Sequence, residues 1–241
     1  MPLYRAIRNF LTCFFLTRWL IRKLGHGGII PVQFLKRLYL FDPFVFEVSD
    51  KPSGISFRYE YVFGDEIGLV LFWRGIEGKE GETIRPFLSW VRQVTRFADV
   101  GANTGHYTLV ALAANPSLYV TAYEPVPYNF ERLARNIDLN GWSGRCDLRN
   151  VAVGDTASGR VSFHLPRSPV PTSGSLNPDG FHGLEGTLIE VDIIRLDNEF
   201  SNGVCPGLMK IDVEGFEHLV ILGMSGLFRK GCYPALIVEC L

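Results

Sequence analysis

Before Asp42 the 241-residue chain contains no Asp or Glu, nowhere does it contain a C-x-x-C pair, and no apolar run reaches the length of a membrane span. Each absence excludes something. The five cysteines (Cys13, Cys146, Cys205, Cys232, Cys240) are scattered and odd in number, which argues against a zinc cluster and offers no disulfide framework. They read as buried reduced thiols, and a cytoplasmic setting follows. Arg18 interrupts the N-terminal apolar residues well short of the roughly 20 that a spanning helix needs, and no small-residue cleavage site follows, so spanning and secretion are both disfavoured. The net charge of −1 provides no global field for nucleic acid, and any basic surface must be local. No internal repeat or low-complexity tail is present, and the length suits one α/β domain with an N-terminal extension.

What is present begins with a local charge bias. Winding residues 3–24 at about 100° each puts Arg5, Arg8, Arg18, Arg22 and Lys23 on one side and Leu3, Ile7, Phe10, Phe14, Leu20, Ile21 and Leu24 on the other. Residues 1–40 therefore form a basic amphipathic helical segment, which either packs on the domain or covers its active site, or lies at the anionic inner face of a membrane. Residues 41–95 form a β-rich extension and a lead-in helix. The stretch 41–75 alternates aromatic and polar types, as in Phe44-Val45-Phe46-Glu47-Val48 and Ile55-Ser56-Phe57-Arg58-Tyr59, with turns at Pro52-Ser53-Gly54 and Gly64-Asp65, and reads as short antiparallel strands. A helix is expected over Thr83–Thr95, with Pro86 early in it.

From Arg96 the pattern becomes β-α-β. Strands are expected at Phe97–Val100, Leu118–Tyr123 and Asp147–Val153, with helices at Tyr107–Ala114 and Tyr128–Asn140 between them. This alternation implies a Rossmann-like, doubly wound, mostly parallel sheet. Arg160–Leu165 and Leu188–Leu196 are expected to form an arm around the Pro/Ser/Gly-rich loop 166–187, followed by a buried strand Leu208–Val213 and a last strand Ala235–Cys240.

The strongest local signal is the strand Phe97-Ala98-Asp99-Val100 running into Gly101-Ala102-Asn103-Thr104-Gly105 and opening a helix. Glycines there let the backbone turn tightly and approach a ligand at the carboxyl edge of a parallel strand. G-x-G-x-x-G is not met, because its second and third glycines fall at Asn103 and His106. Asp99 would repel a pyrophosphate seated on the helix, but could accept hydrogen bonds from the ammonium of a methionine moiety. Glu124 ends the next strand, where a carboxylate can accept both ribose hydroxyls of an adenosine. Ala152-Val153-Gly154-Asp155 falls where an adenine would rest, though Gly154-Asp155 is also an ordinary turn; His106 lines the turn beside the cofactor.

With these residues in view, the chain resembles the FkbM family of S-adenosylmethionine (SAM) dependent methyltransferases from about Phe97 to Glu239. The resemblance rests on Asp99-Val100-Gly101-Ala102-Asn103-Thr104-Gly105, Tyr123-Glu124-Pro125 with Asn129, Leu133, Asn136 and Asn140, Ala152-Val153-Gly154-Asp155, Leu196-Asp197, and Lys210-Ile211-Asp212-Val213-Glu214-Gly215-Phe216-Glu217. The family usually carries a small residue where Phe216 stands. It implies a class I methyltransferase domain over residues 96–241, SAM as methyl donor, and a hydroxyl acceptor on a sugar, a bacterial glycan or lipo-oligosaccharide, as in nodulation-type fucose methylation, or on a natural-product scaffold. A complete sheet of this class usually adds further strands after the one ending near Glu239, so a shortened form is expected.

Methyl transfer from a sulfonium is an in-line displacement, for which alignment can supply roughly 7–11 kcal/mol and a placed base typically adds 10²–10⁴-fold. Asp212 is the first choice as base, or as ligand to a Mg²⁺ ion, and Glu214 and Glu239 complete an oxygen-rich site. The plain alternative is that Asp212 and Glu214 cap the helix beginning near Gly215. His218 reads as a surface helix residue, Lys210 as structural, and Ser173-Gly174-Ser175 as either a lid or an idle connection. Two rival functions share the fold: a nicotinamide-dependent oxidoreductase, opposed by Asp99 and the absent glycines, and a membrane-associated pseudoenzyme without an acceptor pocket.

Overall fold

The computed structural model describes residues 15–38, 40, 42–78, 80–166, 170–171, 186–200 and 204–239. The chain divides into two compact units, Met1–Phe87 and Leu88–Leu241. The loop Ser173-Gly174-Ser175 and most of the predicted residue 3–24 helix, up to residue 14, lie outside the described residues.

The N-terminal unit contains α1 (Phe15–His26), α2 (Val32–Leu35), β1 (Phe44–Asp50), β2 (Ile55–Tyr61) and α3 (Glu66–Arg74). The expected hairpin is present: β1 and β2 pair antiparallel, with Phe44 opposite Tyr61 and Asp50 opposite Ile55. Alternation along β2 buries Ile55, Phe57, Tyr59 and Tyr61 on one face. Phe72 of α3 meets that hairpin edge-on, 5.3 Å from Phe44 and 5.2 Å from Phe46 between ring centroids.

The expectation of strands throughout residues 41–75 fails at α3. Its sequence, EIGLVLFWR, is an uninterrupted apolar run, and periodicity cannot tell a short run of that kind from a strand. Asp65 decides the matter as an N-cap. Its Oδ1 accepts the Gly68 N–H at 2.8 Å and its Oδ2 accepts the Tyr59 hydroxyl at 2.8 Å, all in the interior. Gly68 is required there, because a Cβ would sit 2.5 Å from Asp65 Oδ2 and 2.6 Å from the Tyr59 ring.

Helix α1 also departs from its simple helical wheel. Arg22 is half-buried, its guanidinium 4.9 Å from the Phe72 ring centroid while it donates to the Glu47 carbonyl at 2.6 Å, whereas Leu20 is exposed. Gly25 lies so close to the Trp73 carbonyl that a Cβ would be 2.3 Å from its oxygen. α1 therefore packs on α3 by a glycine and a cation over an aromatic ring, not by its most apolar face.

The lead-in helix α4 (Gly81–Val91) carries the chain across the boundary between the units. The C-terminal unit then runs β3 (Arg96–Val100), α5 (His106–Ala114), β4 (Tyr119–Tyr123), α6 (Pro127–Leu139), β5 (Cys146–Arg149), β6 (Ala152–Val153), β7 (Ser158–Pro166), β8 (Gly186–Ile194), α7 (Leu196–Glu199), β9 (Leu208–Ile211), α8 (Glu217–Leu222), α9 (Ser225–Arg229) and β10 (Ala235–Val238). Its main sheet has the order β10-β9-β3-β4-β5 with every neighbour parallel. The chain steps outward from β3 to β5 and returns on the other side at β9, so the order reverses between β3 and β9. In such Rossmann-like sheets ligands bind outside the carboxyl ends of the strands at that reversal.

The predicted single strand Asp147–Val153 is two strands in two sheets. β5 ends at Arg149, and β6 joins β8 and β7 in a three-stranded sheet in which β7 and β8 form the expected antiparallel arm. At the break, Asn150 donates from Nδ2 to the carbonyls of Glu124 (2.8 Å) and Pro125 (3.1 Å), which turns the backbone out of the first sheet.

The reading of all cysteines as reduced thiols is corrected for one pair. Cys205, ahead of β9, and Cys232, ahead of β10, form a disulfide, so the cytoplasmic inference loses the support it drew from them. Cys146 is a free thiol in the interior, its pKa pushed up to about 12 by burial. The loop closed between Cys205 and Cys232 spans a sequence separation of 27. Chain-entropy arguments then give the bridge about 3.5 kcal/mol of stabilisation. Guanidinium denaturation of the Cys205→Ser/Cys232→Ser variant, compared with the oxidised protein, should show a loss of that size, and reductant should have no effect on the variant.

Candidate active site

The carboxyl ends of β3, β4, β9 and β10 carry most of the residues singled out in the sequence. The β3–α5 turn is shaped by three left-handed residues, Gly101 (φ 84°), Asn103 (φ 51°) and Gly105 (φ 103°). A Cβ on Gly101 would lie 1.9 Å from the Asp212 carbonyl oxygen, and one on Gly105 would lie 2.8 Å from Leu133 Cδ1. Both glycines are therefore demanded by the packing of protein on protein as well as by backbone conformation. The Asn103 side chain accepts the Thr104 N–H at 2.9 Å, and Asn136 of α6 donates to the Thr104 carbonyl at 3.0 Å. His106 opens α5 beside this turn and is half-buried.

Glu124 sits just past β4 and is buried. Its Oε2 accepts the Asn103 N–H at 2.8 Å and its Oε1 the Val126 N–H at 2.9 Å. Burial pushes its acid up to about 7, against the opposing pull of the bonds from Val126, Asn103 and Asn129. Asn129, also in the interior, donates to the Pro171 carbonyl at 2.7 Å, so one side chain touches both the acid and the end of the β7 loop. The two backbone bonds and the one from Asn129 hold the carboxylate in one orientation.

Asp99 does not stand open at the strand tip. It is 1% exposed, and Oδ2 accepts the Thr108 hydroxyl of α5 at 2.6 Å. Its register partner across the sheet is Lys210. The positive charge that sequence reasoning reserved for a ligand is thus already supplied by the protein. Burial raises the Asp99 pKa and the Lys210 charge opposes the rise. Oδ1 is in the interior and has no hydrogen-bond partner among the described residues.

Lys210 is the side chain whose importance the sequence understated. Its Nζ lies 2.6 Å from Asp212 Oδ2 and 4.5 Å from the Tyr107 ring centroid, with the side chain 4% exposed. Asp212 follows β9 and Glu239 follows β10. Their backbones continue the sheet, Asp212 N–H bonding the Val100 carbonyl and Glu239 N–H the Ile211 carbonyl, and their carboxylate oxygens come within 4.8 Å of one another. Glu214 is half-buried in a left-handed conformation (φ 54°) in the following loop. Glu217 shapes that loop: its Oε1 accepts the N–H groups of Val213 and Gly215, both at 3.1 Å. The helix itself begins at Glu217. His218 is exposed, as expected.

Two motif segments serve the fold more visibly than the crevice. Ala152 is buried in β6, Gly154 packs against Gly223 so closely that a Cβ on the latter would lie 1.9 Å from its carbonyl oxygen, and the Asp155 side chain is exposed. Asp197 caps α9 from outside, its Oδ1 accepting the Leu227 N–H at 2.8 Å.

A buried, backbone-aligned carboxylate, an orphaned buried carboxylate oxygen and a glycine turn at the sheet reversal fit an amino-acid nucleoside better than a diphosphate. Comparison with known proteins agrees: residues 99–241 match the methyltransferase FkbM domain. The chain belongs to the FkbM family of SAM-dependent methyltransferases. Among its relatives, it is 30% identical over 191 residues to the hexuronic acid methyltransferase AglP of Haloferax volcanii, covering 78% of this chain and 71% of that one. It is 27% identical over 196 residues to the 31-O-demethyl-FK506 methyltransferase FkbM of Streptomyces tacrolimicus, covering 70% and 68%. A SAM-dependent methyltransferase structure from Agrobacterium tumefaciens aligns with 82% of this chain and 53% of its own, at a TM-score of 0.43 and 12% identity.

The buried charge row gives a direct test. Lys210→Met would leave Asp99 and Asp212 without their shared cation, and breaking a buried pair in this way costs about 3–5 kcal/mol. Urea denaturation should show that loss, and adding Asp99→Asn to Lys210→Met should restore part of it.

Proposed function

We propose that this protein transfers the methyl group of SAM to a hydroxyl of a sugar or glycan. The observation that carries this reading is the placement of two carboxylates, Asp212 and Glu239, at the ends of adjacent strands beside the β3 turn. The name of the Haloferax relative, which specifies a hexuronic acid, supports a sugar acceptor. The Streptomyces relative's name supports a natural-product hydroxyl as the second reading.

In this reading the ribose hydroxyls donate to Glu124, whose orientation is set by Asn103 and Val126. The turn from Gly101 to Gly105, with His106, lies along the nucleoside, and Ala152 and Asp155 border the adenine. Asp99 holds Thr108 of α5 beneath the methionine moiety, with Lys210 answering its charge. Bound SAM supplies a methyl carbon already activated by a sulfonium. The chain's own residues hold the acceptor oxygen in line with that carbon and take its proton. Asp212 is the base, and Glu239 and Glu214 orient neighbouring hydroxyls. Lys210 fixes Asp212 by one oxygen and leaves the other for the acceptor. As the oxygen–carbon bond forms, the carbon–sulfur bond breaks, S-adenosylhomocysteine leaves, and the proton resides on Asp212.

A Mg²⁺ ion held by Asp212 and Glu239 would instead lower the acceptor's pKa directly. The Lys210 ammonium, 2.6 Å from Asp212 Oδ2, already supplies a cation there and favours the base. Chelation with EDTA should therefore leave turnover unchanged.

Mass spectrometry of glycans incubated with the enzyme and methyl-labelled SAM should show one added methyl on a sugar hydroxyl. Asp212→Asn should lower kcat by about 10²–10⁴-fold while leaving S-adenosylhomocysteine affinity unchanged. A hexuronic acid also offers a carboxylate, which is nucleophilic without a base. Transfer that survives Asp212→Asn would assign the methyl to that carboxylate and overturn the hydroxyl reading.

The buried acid makes cofactor binding depend on pH. Ribose hydroxyls donate far more strongly to ionised Glu124, whose protonated form turns one oxygen into a donor, and the acid ionises near 7 in the free protein. Affinity for S-adenosylhomocysteine should fall about tenfold per pH unit below that point, and Glu124→Gln should bind weakly with a flat profile. The unliganded fold shows the opposite sign. Because its acid is raised from 4.5, Glu124 stabilises the fold fully below that pH, and the contribution is lost as pH rises towards about 7.

A further inference from the structure

We propose that the N-terminal unit docks on an anionic phospholipid surface through the outer face of α1 and the segment that follows it to Arg37. Four large apolar side chains stand out of this stretch: Trp19 is 50% exposed, Leu20 51%, Ile29 70% and Phe34 53%. Singly, exposed apolar residues mean little, but four so close along the chain mark an interaction surface. The packing of the unit does not consume them. α1 meets α3 through Gly25 and Arg22, which leaves Trp19, Leu20 and Lys23 on the outer side of the helix.

The charge of the stretch identifies the partner. Before Asp42 the sequence holds seven Arg and Lys residues and no Asp or Glu. Within the docking stretch Lys23 and Arg37 are exposed, and the Lys23 ammonium lies 4.2 Å from the Trp19 ring centroid, one helical turn away. An indole with a lysine beside it suits the boundary between headgroups and acyl chains, where the ring enters and the ammonium stays with the phosphates. Lys36 has a carboxylate partner in Glu66, so it contributes less. A second copy fits poorly, because joining this face to itself would place Lys23 and Arg37 against their own kind with no acid in the stretch to answer them. The contact is superficial: among the described residues no helix is long and apolar enough to cross a membrane.

The test is co-sedimentation of the 241-residue protein with phosphatidylcholine vesicles, with and without phosphatidylglycerol, at low and high salt. Binding is expected only with phosphatidylglycerol and should weaken as salt rises. Trp19→Ser/Phe34→Ser should abolish it, and Lys23→Glu/Arg37→Glu should reduce it by at least about fivefold per charge lost. Both variants should bind S-adenosylhomocysteine as the parent does, which separates this result from any failure of the methyltransferase reading. Absence of binding to the anionic vesicles, or binding untouched by both double variants, would overturn the proposal. So would a concentration-dependent dimer that Trp19→Ser/Phe34→Ser dissociates, because the face would then belong to a second copy.

Discussion

An ammonium held in the interior among carboxylates is the constraint on which the rest of the site depends. Lys210 lies on β9 opposite Asp99 on β3, at the place where the strand order reverses, and reaches Asp212 just beyond its own strand. Without that cation the two carboxylates would face each other across the reversal in a medium that penalises uncompensated charge. With it, one cation answers both carboxylates, and Asp212 is fixed by one oxygen. Tyr107 supports the same ammonium from α5, so the first helix after the glycine turn is tied to the strand carrying the candidate base.

Much of the architecture was legible because its elements differ in period. The β-α-β alternation from Arg96, the hairpin from Phe44 and the arm of β7 and β8 all emerge from spacing alone. The failures are equally physical. The apolar run IGLVLFW is too short and too uniform to declare a period, and only the buried bond from the Gly68 N–H identifies Asp65 as a cap instead of a turn residue. The strand expected over Asp147–Val153 broke because a single amide, Asn150, is drawn to two carbonyls from another loop, a long-range contact that no local pattern encodes.

For the site, residue types at strand ends mark where the side chains gather but not what each of them bonds. Glu124 is the buried, aligned carboxylate that its position suggested. Asp99 is more enclosed than expected, because Thr108 and Lys210 claim what was assigned to a ligand. Gly101 and Gly105 were read as room for a cofactor, yet each is needed to admit a neighbouring group of the protein itself. Glu217 and Asp197, members of the same motifs, use their oxygens to hold backbone N–H groups. A motif can thus be specific to a chemistry while several of its members serve only the shape that chemistry needs.

The bridge between Cys205 and Cys232 lies at the amino ends of β9 and β10, and Asp212 and Glu239 lie just beyond their carboxyl ends. Clamped at the base, the two strands behave like the arms of tweezers joined at the hinge: hydrogen bonding along their length transmits the clamp to the tips. The two acids thus stand at the far ends of strands joined twice over, by the bridge at the base and by the parallel pairing along their length.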